Sequence, residues 1–241
     1  MSNARDDLRP APAGAPSRKR PGWPEIGAGL FALVAATAPA VFFGPRGLDL
    51  DPVPYGLILA AWSGVAGLAG FAAAALLRIR SLNAFSVRRT TWRWLLVGMA
   101  GGIAALLAKA AVVSAVAAVT GYESDPQGMY YDAAGGGVVP LILTMLFLAV
   151  LTPIGEEFLF RGVVANALLR YGPVVGAVSS SLVFAVFHGI NIVFPAAFVV
   201  GLIAAELMRR SGSVWPGVVV HAVNNTALPL LVLLTGYAGP T

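Results

Sequence analysis

The sequence predicts an all-α fold, a polytopic transmembrane helical bundle of about seven spans. Three observations carry that expectation. The chain of 241 residues is 58% hydrophobic and only 11% charged, with a mean hydropathy of +0.80, far more apolar surface than a soluble domain of this length needs. The apolar residues fall in long runs separated by short polar loops. Basic and acidic loops alternate along the chain, as the two faces of a membrane require.

Each element follows in order. Residues 1–24 are polar and Pro-rich, too poor in apolar residues to build a core, and are expected to form a disordered basic cytoplasmic tail. Arg18, Lys19 and Arg20 lead into the first apolar run, which reads as a start-in anchor helix because further spans follow. Spans are expected at 26–43, 56–77, 93–120, 137–169, 173–190, 194–209 and 214–235. The third and fourth exceed the ~20 residues a bilayer needs, so they should tilt or protrude. Tyr171-Gly172-Pro173 is a strong turn signal between the fourth and fifth. Residues 25–130 then form N-terminal transmembrane helices, and 131–241 a core that holds the candidate site.

The loops assign orientation. Arg78, Arg80, Arg88, Arg89 and Arg93 fill the 78–93 loop. The 44–55 loop has Asp49 and Asp51 against the single Arg46, and the 121–136 loop has Glu123, Asp125 and Asp132 with no Lys or Arg. The positive-inside rule makes the N-terminus cytoplasmic and both acidic loops external. Arg170 and the Arg209–Arg210 turn then fall inside as well. The expected location is the cytoplasmic membrane of a bacterium. The net charge of +5 and pI ≈ 10.0 reflect the arginines of these cytoplasmic loops, and nucleic acid is not an expected partner; membrane lipid is. The absence of cysteine excludes disulfides, thiolate metal sites and cysteine nucleophiles. The 28 glycines suit close helix approach in lipid.

Against this background the polar residues inside apolar runs stand out. Glu156 and Glu157 sit side by side in LTMLFLAVLTPIGEEFLFRGVVANALL. A charge in hydrocarbon costs ~3 kcal/mol or more and usually marks function. The only histidines, His188 and His221, also lie in apolar segments. Glu156 and His188 are each sixteen residues from Gly172, so an antiparallel hairpin about that glycine brings them to one depth, ~24 Å from the turn. His221 and Asn225 share a helix face at i, i+4, but their depths of ~14 and ~20 Å match less well, by up to ~10 Å. Glu157 and Arg161, also i, i+4, are placed to pair. That leaves Glu156, ~100° around the helix, for a different partner. Phe184, four residues before His188, can cover its imidazole. Lys109, inside the third span, is expected to snorkel or to pair with a carboxylate.

Read in order, Glu156-Glu157-x-x-x-Arg161, Phe184-x-x-x-His188 and His221-x-x-x-Asn225 closely resemble the CPBP family of CAAX proteases and bacteriocin-processing enzymes, also called Abi. Type II CAAX prenyl endopeptidases belong to it. The resemblance covers about 137–235. It implies an intramembrane endopeptidase with a catalytic cavity inside the membrane, open to the cytosol. Glu156 and His188 would activate a water, and His221 and Asn225 would stabilise the oxyanion. Glu157, Arg161 and Phe184 would support them. The substrate implied is a membrane-associated or lipidated protein or peptide.

The chemistry suits that implication. A carboxylate stripped of water is a better base near neutral pH, and N–H donors in a low-dielectric cavity stabilise an oxyanion strongly. The family has been described both as metalloproteases and as metal-independent glutamate proteases. A Zn2+ ion, if required, would take Glu156, His188 and His221 as ligands. No HExxH is present, and the expected mechanism is the metal-free glutamate one. Two other classes compete. A non-catalytic immunity or peptide-binding partner would use the same cavity without needing Glu156 to ionise. A proton-coupled carrier would also place Glu and His in the membrane, but the few spans and lack of an inverted repeat speak against it.

Overall fold

A computed structural model describes residues 20–47, 49–121 and 126–236. The expected tail lies outside these residues up to position 19, as do Glu123 and Asp125. Among the described residues the protein is helical, with no strand. Eight helices follow in order: α1 (Trp23–Gly47), α2 (Pro52–Leu77), α3 (Trp92–Thr120), α4 (Gly128–Gly135), α5 (Val138–Tyr171), α6 (Pro173–Phe187), α7 (Val193–Ser211) and α8 (Trp215–Thr235).

By length and composition, α2, α3, α5 and α8 can each cross a membrane. The remaining expected spans are the helices α1, α6 and α7, so a count of seven is compatible with the fold. Helix α6 has only 15 residues, about 22 Å against ~30 Å of hydrocarbon. Its expected end at 190 falls instead at Phe187, and Gly189 (φ 86°) turns the chain toward α7. Helix α4 lies inside the expected 121–136 loop. Its eight residues are too few to register as an apolar run, and it is held by packing on α2. At Gly56 an added Cβ would come 2.0 Å from the Met129 carbonyl oxygen.

The basic segments meet at one end of the bundle. Arg78 forks onto the buried Glu25 carboxylate (Nε–Oε1 2.5 Å, Nη2–Oε2 2.9 Å), which also accepts the Gly22 N–H. Arg170 donates to the Pro21 carbonyl, and Trp23 Nε1 to Tyr171 Oη at 2.9 Å. Arg88 donates to Gly212 O at 2.6 Å, and Ser213 Oγ donates to Arg88 O at 2.7 Å. The start of α1, the 78–91 connection, the α5–α6 turn and the α7–α8 turn therefore form one layer. That layer is the common side on which the charge pattern had placed their arginines.

Helix α5 runs through the middle. Two of its stretches, Phe147–Leu151 and Phe158–Ala165, are widened π turns, and Thr152–Glu157 lies between them. Such bulges are frequent at functional sites. The first precedes Pro153, whose ring and missing N–H disturb an ordinary helical turn. Helix α2 packs directly on this region through glycine. A Cβ on Gly64 would lie 2.7 Å from the Leu151 backbone, and one on Gly155 would lie 2.1 Å from Gly64 O. Gly155→Ala is expected to force the two backbones apart and cost roughly 1–3 kcal/mol. Thermal unfolding in detergent measures it; an unchanged melting temperature would mean that the helices do not meet here.

Candidate active site

Glu156 and Glu157, neighbours on α5, are both buried but face different partners. Glu156 points into a cavity of about 400 Å³ lined also by Ser63, Tyr130, His188, His221 and Asn225. Its Oε1 accepts a hydrogen bond from Ser63 Oγ at 2.6 Å. Its Oε2 has no protein hydrogen-bond donor among the described residues. That oxygen lies 3.8 Å from His188 Nε2 and 3.9 Å from His221 Nε2.

The two imidazoles are oriented through their other nitrogens. His188 caps the end of α6, and its Nδ1 is 2.9 Å from the Phe184 carbonyl oxygen. A carbonyl only accepts, so the proton of a neutral His188 belongs on Nδ1. His221 Nδ1 is 3.1 Å from Glu157 Oε1, which orients its ring in the same way. In their neutral forms both rings therefore present a bare Nε2 lone pair toward Glu156 Oε2.

Glu157 pairs with Arg161, Oε1 to Nη1 at 3.0 Å, and both side chains are buried. The guanidinium lies over the Phe184 ring, 4.2 Å from its centroid, a cation–π contact. Phe184 also packs on His188 (centroids 4.5 Å) and edge-on to His221 (5.7 Å). One phenyl ring thus touches Arg161 and both histidines. Glu157 does more than neutralise Arg161, because it also orients His221.

His221 and Asn225 occupy successive turns of one α8 face. His221 reaches the level of Glu156 despite the ~10 Å mismatch expected. The start of α8 stands back from the α5–α6 turn: Val214 N–H donates to Ser86 O, and Ser86 Oγ accepts from Asn166 Nδ2, which lies on α5 before its last turn. Asn225 then falls one turn further on, where its Nδ2 donates to Leu148 O at 3.0 Å. Lys109 also lines the cavity and lies 3.5 Å from Gln127 Oε1.

Ser63 and Tyr130 are among the cavity residues that escaped the sequence reading. Ser63 is 93 positions from Glu156 and belongs to α2; the one available signal was a lone Ser beside Gly64 in an apolar helix. Tyr130 stands on the unexpected α4. Burial first, then the charge of Glu156 and the neighbouring Tyr55, push its phenol up to about 12, so it stays protonated near neutral pH.

For Zn2+, Glu156 Oε2 and two imidazole Nε2 atoms, each ring held through its second nitrogen, are donors of the right type. Tetrahedral zinc with bonds of about 2.0–2.1 Å sets its ligand atoms roughly 3.4 Å apart. The separations of 3.8 and 3.9 Å are wider and match a water hydrogen-bonded to both sides. No group of three or more His, Asp or Glu among the described residues is gathered as a metal site.

Residues 138–227, which contain all seven motif residues, match the family model described as Type II CAAX prenyl endopeptidase Rce1-like. No curated protein and no solved structure matches the chain.

Proposed function

From a chain that carries an Rce1-like domain at residues 138–227, we infer an intramembrane endopeptidase in which Glu156 is the base. The observation that carries this reading is the convergence of Glu156 Oε2 and two imidazole Nε2 atoms on one point of the cavity. A water there donates one hydrogen to Glu156 and the other to a bare Nε2, which leaves its lone pair free for attack. Its oxygen adds to the peptide carbonyl carbon as Glu156 takes the proton. His221 enters the step already protonated from bulk water and keeps that proton throughout, so that its Nε2–H donates to the oxyanion while Glu157 stabilises the imidazolium through Nδ1. His188 holds the water from the second side. Glu156 then returns the proton to the leaving nitrogen, and the C–N bond breaks. Ser63 keeps the Glu156 carboxylate from turning away.

Zn2+, if bound, would sit on Glu156, His188 and His221 and supply Lewis acidity to the water. Asn225, expected as an oxyanion donor, directs its amide at a backbone carbonyl. The substrate is a peptide or protein segment at the membrane. The arginine-rich layer is placed in the cytosol, consistent with the positive-inside rule.

The test is cleavage of quenched-fluorescent peptides, prenylated and plain, by the purified protein in detergent with and without a chelator. Cleavage that a chelator leaves unchanged is expected. Loss restored by added Zn2+ would replace the glutamate mechanism by the metal-assisted one. Specific peptide binding with no cleavage of any substrate would favour the non-catalytic partner instead.

A further inference from the structure

We propose that Asn225 is a positioning residue: its side-chain amide stands in for the backbone N–H that Pro153 lacks, and so fixes the turn of α5 that aims Glu156. The inference rests on Glu156 being the working carboxylate of the site.

The argument starts from the backbone. In the widened turn Phe147–Leu151 the N–H of Thr152 bonds to Phe147 O, five residues back. The same pattern assigns Leu148 O to the N–H of residue 153. That residue is proline and has none. Leu148 is buried, and a buried carbonyl left unpaired is costly. Asn225 Nδ2 reaches this oxygen at 3.0 Å from α8, 77 residues away. The opposite side of the turn is tied to α2, where Thr152 Oγ1 donates to Ala60 O at 2.9 Å. The stretch is thus held from two helices, immediately before Glu156.

Its phase matters because the residue before Glu156 is a glycine. A widened turn holds one residue more than an ordinary one. If it relaxed, every later residue would rotate by about 100°. Glu156 would then swing toward the position of Glu157, and Gly155, which has no side chain, would take its place at the cavity. Asn225 therefore decides whether a carboxylate faces the water.

A four-way comparison tests this: wild type, Asn225→Ala, Pro153→Ala and the double variant, each measured for melting temperature and for kcat and KM on a cleaved peptide. Asn225→Ala is expected to lower the melting temperature and reduce kcat about 100-fold, the scale of a ~1 Å misplacement, with KM little changed. Pro153→Ala restores a backbone donor, so the double variant should recover most of both losses. A residue that only binds the oxyanion would leave the melting temperature alone and would gain nothing from Pro153→Ala. A double variant as impaired as Asn225→Ala in both readouts overturns the proposal. Asn225→Asp, close in shape but without the donor, gives a check independent of Pro153. It should match Asn225→Ala, and wild-type melting would also overturn the idea. Glu156→Gln run alongside separates the two levels. Cleavage that survives it defeats the peptidase mechanism, while the melting temperatures still judge the cap.

Discussion

Glu156→Gln is expected to lower kcat by a factor of roughly 10²–10⁴, the usual worth of a positioned general base. Glutamine keeps the shape of the side chain and an oxygen to accept the Ser63 hydroxyl. It loses the ability to take a proton at the atom facing His188 and His221. The fold should survive, because among the described residues Glu156 pairs only with histidines and strands no Lys or Arg, whereas Glu157 has Arg161. Single-turnover cleavage by variant and wild type at matched melting temperature is the measurement. Wild-type cleavage in the variant would remove Glu156 from the chemistry.

Arg161→Met is expected to produce the largest loss of stability, about 3–5 kcal/mol. Arg161 is buried with Glu157, and deleting the cation leaves a carboxylate stranded where water cannot reach it. The guanidinium also covers Phe184, so that ring loses its cation and both histidines lose a firm neighbour. Methionine fills much of the volume, which isolates the electrostatic effect. The double variant Arg161→Met with Glu157→Gln should regain a large part of the loss, since no charge then remains unpaired. Denaturation in detergent measures both. A single variant as stable as wild type would mean that Glu157 carries no charge in the fold.

How far the site was legible depends on how local its cause is. The hairpin about Gly172 was readable because a Gly-Pro turn and two equal sixteen-residue arms are properties of consecutive residues. The Glu157–Arg161 pair was readable from helical spacing for the same reason. The His221 contact was missed in depth because the relative offset of α5 and α8 is set by packing between helices, which no periodicity encodes. Ser63 belongs to a helix whose only other hydroxyl is that of Tyr55, and nothing local to α2 names Glu156 as its partner. Pro153 inside the fourth span was a readable signal that went unused, and the donor that meets its turn comes from 72 positions further on. Helix α4 escaped because eight residues without a strong apolar run form a helix only when another surface holds them.

The glycine seam between α2 and α5 has a mechanical consequence. Where backbone lies against backbone with no side chain between, there is no soft layer to shear or compress. The joint behaves as a weld. Ser63 and Glu156, carried on its two sides, keep their spacing whatever the remaining helices do. A peptide that needs more room must obtain it by displacing other walls of the chamber, and the base stays aimed while it does so.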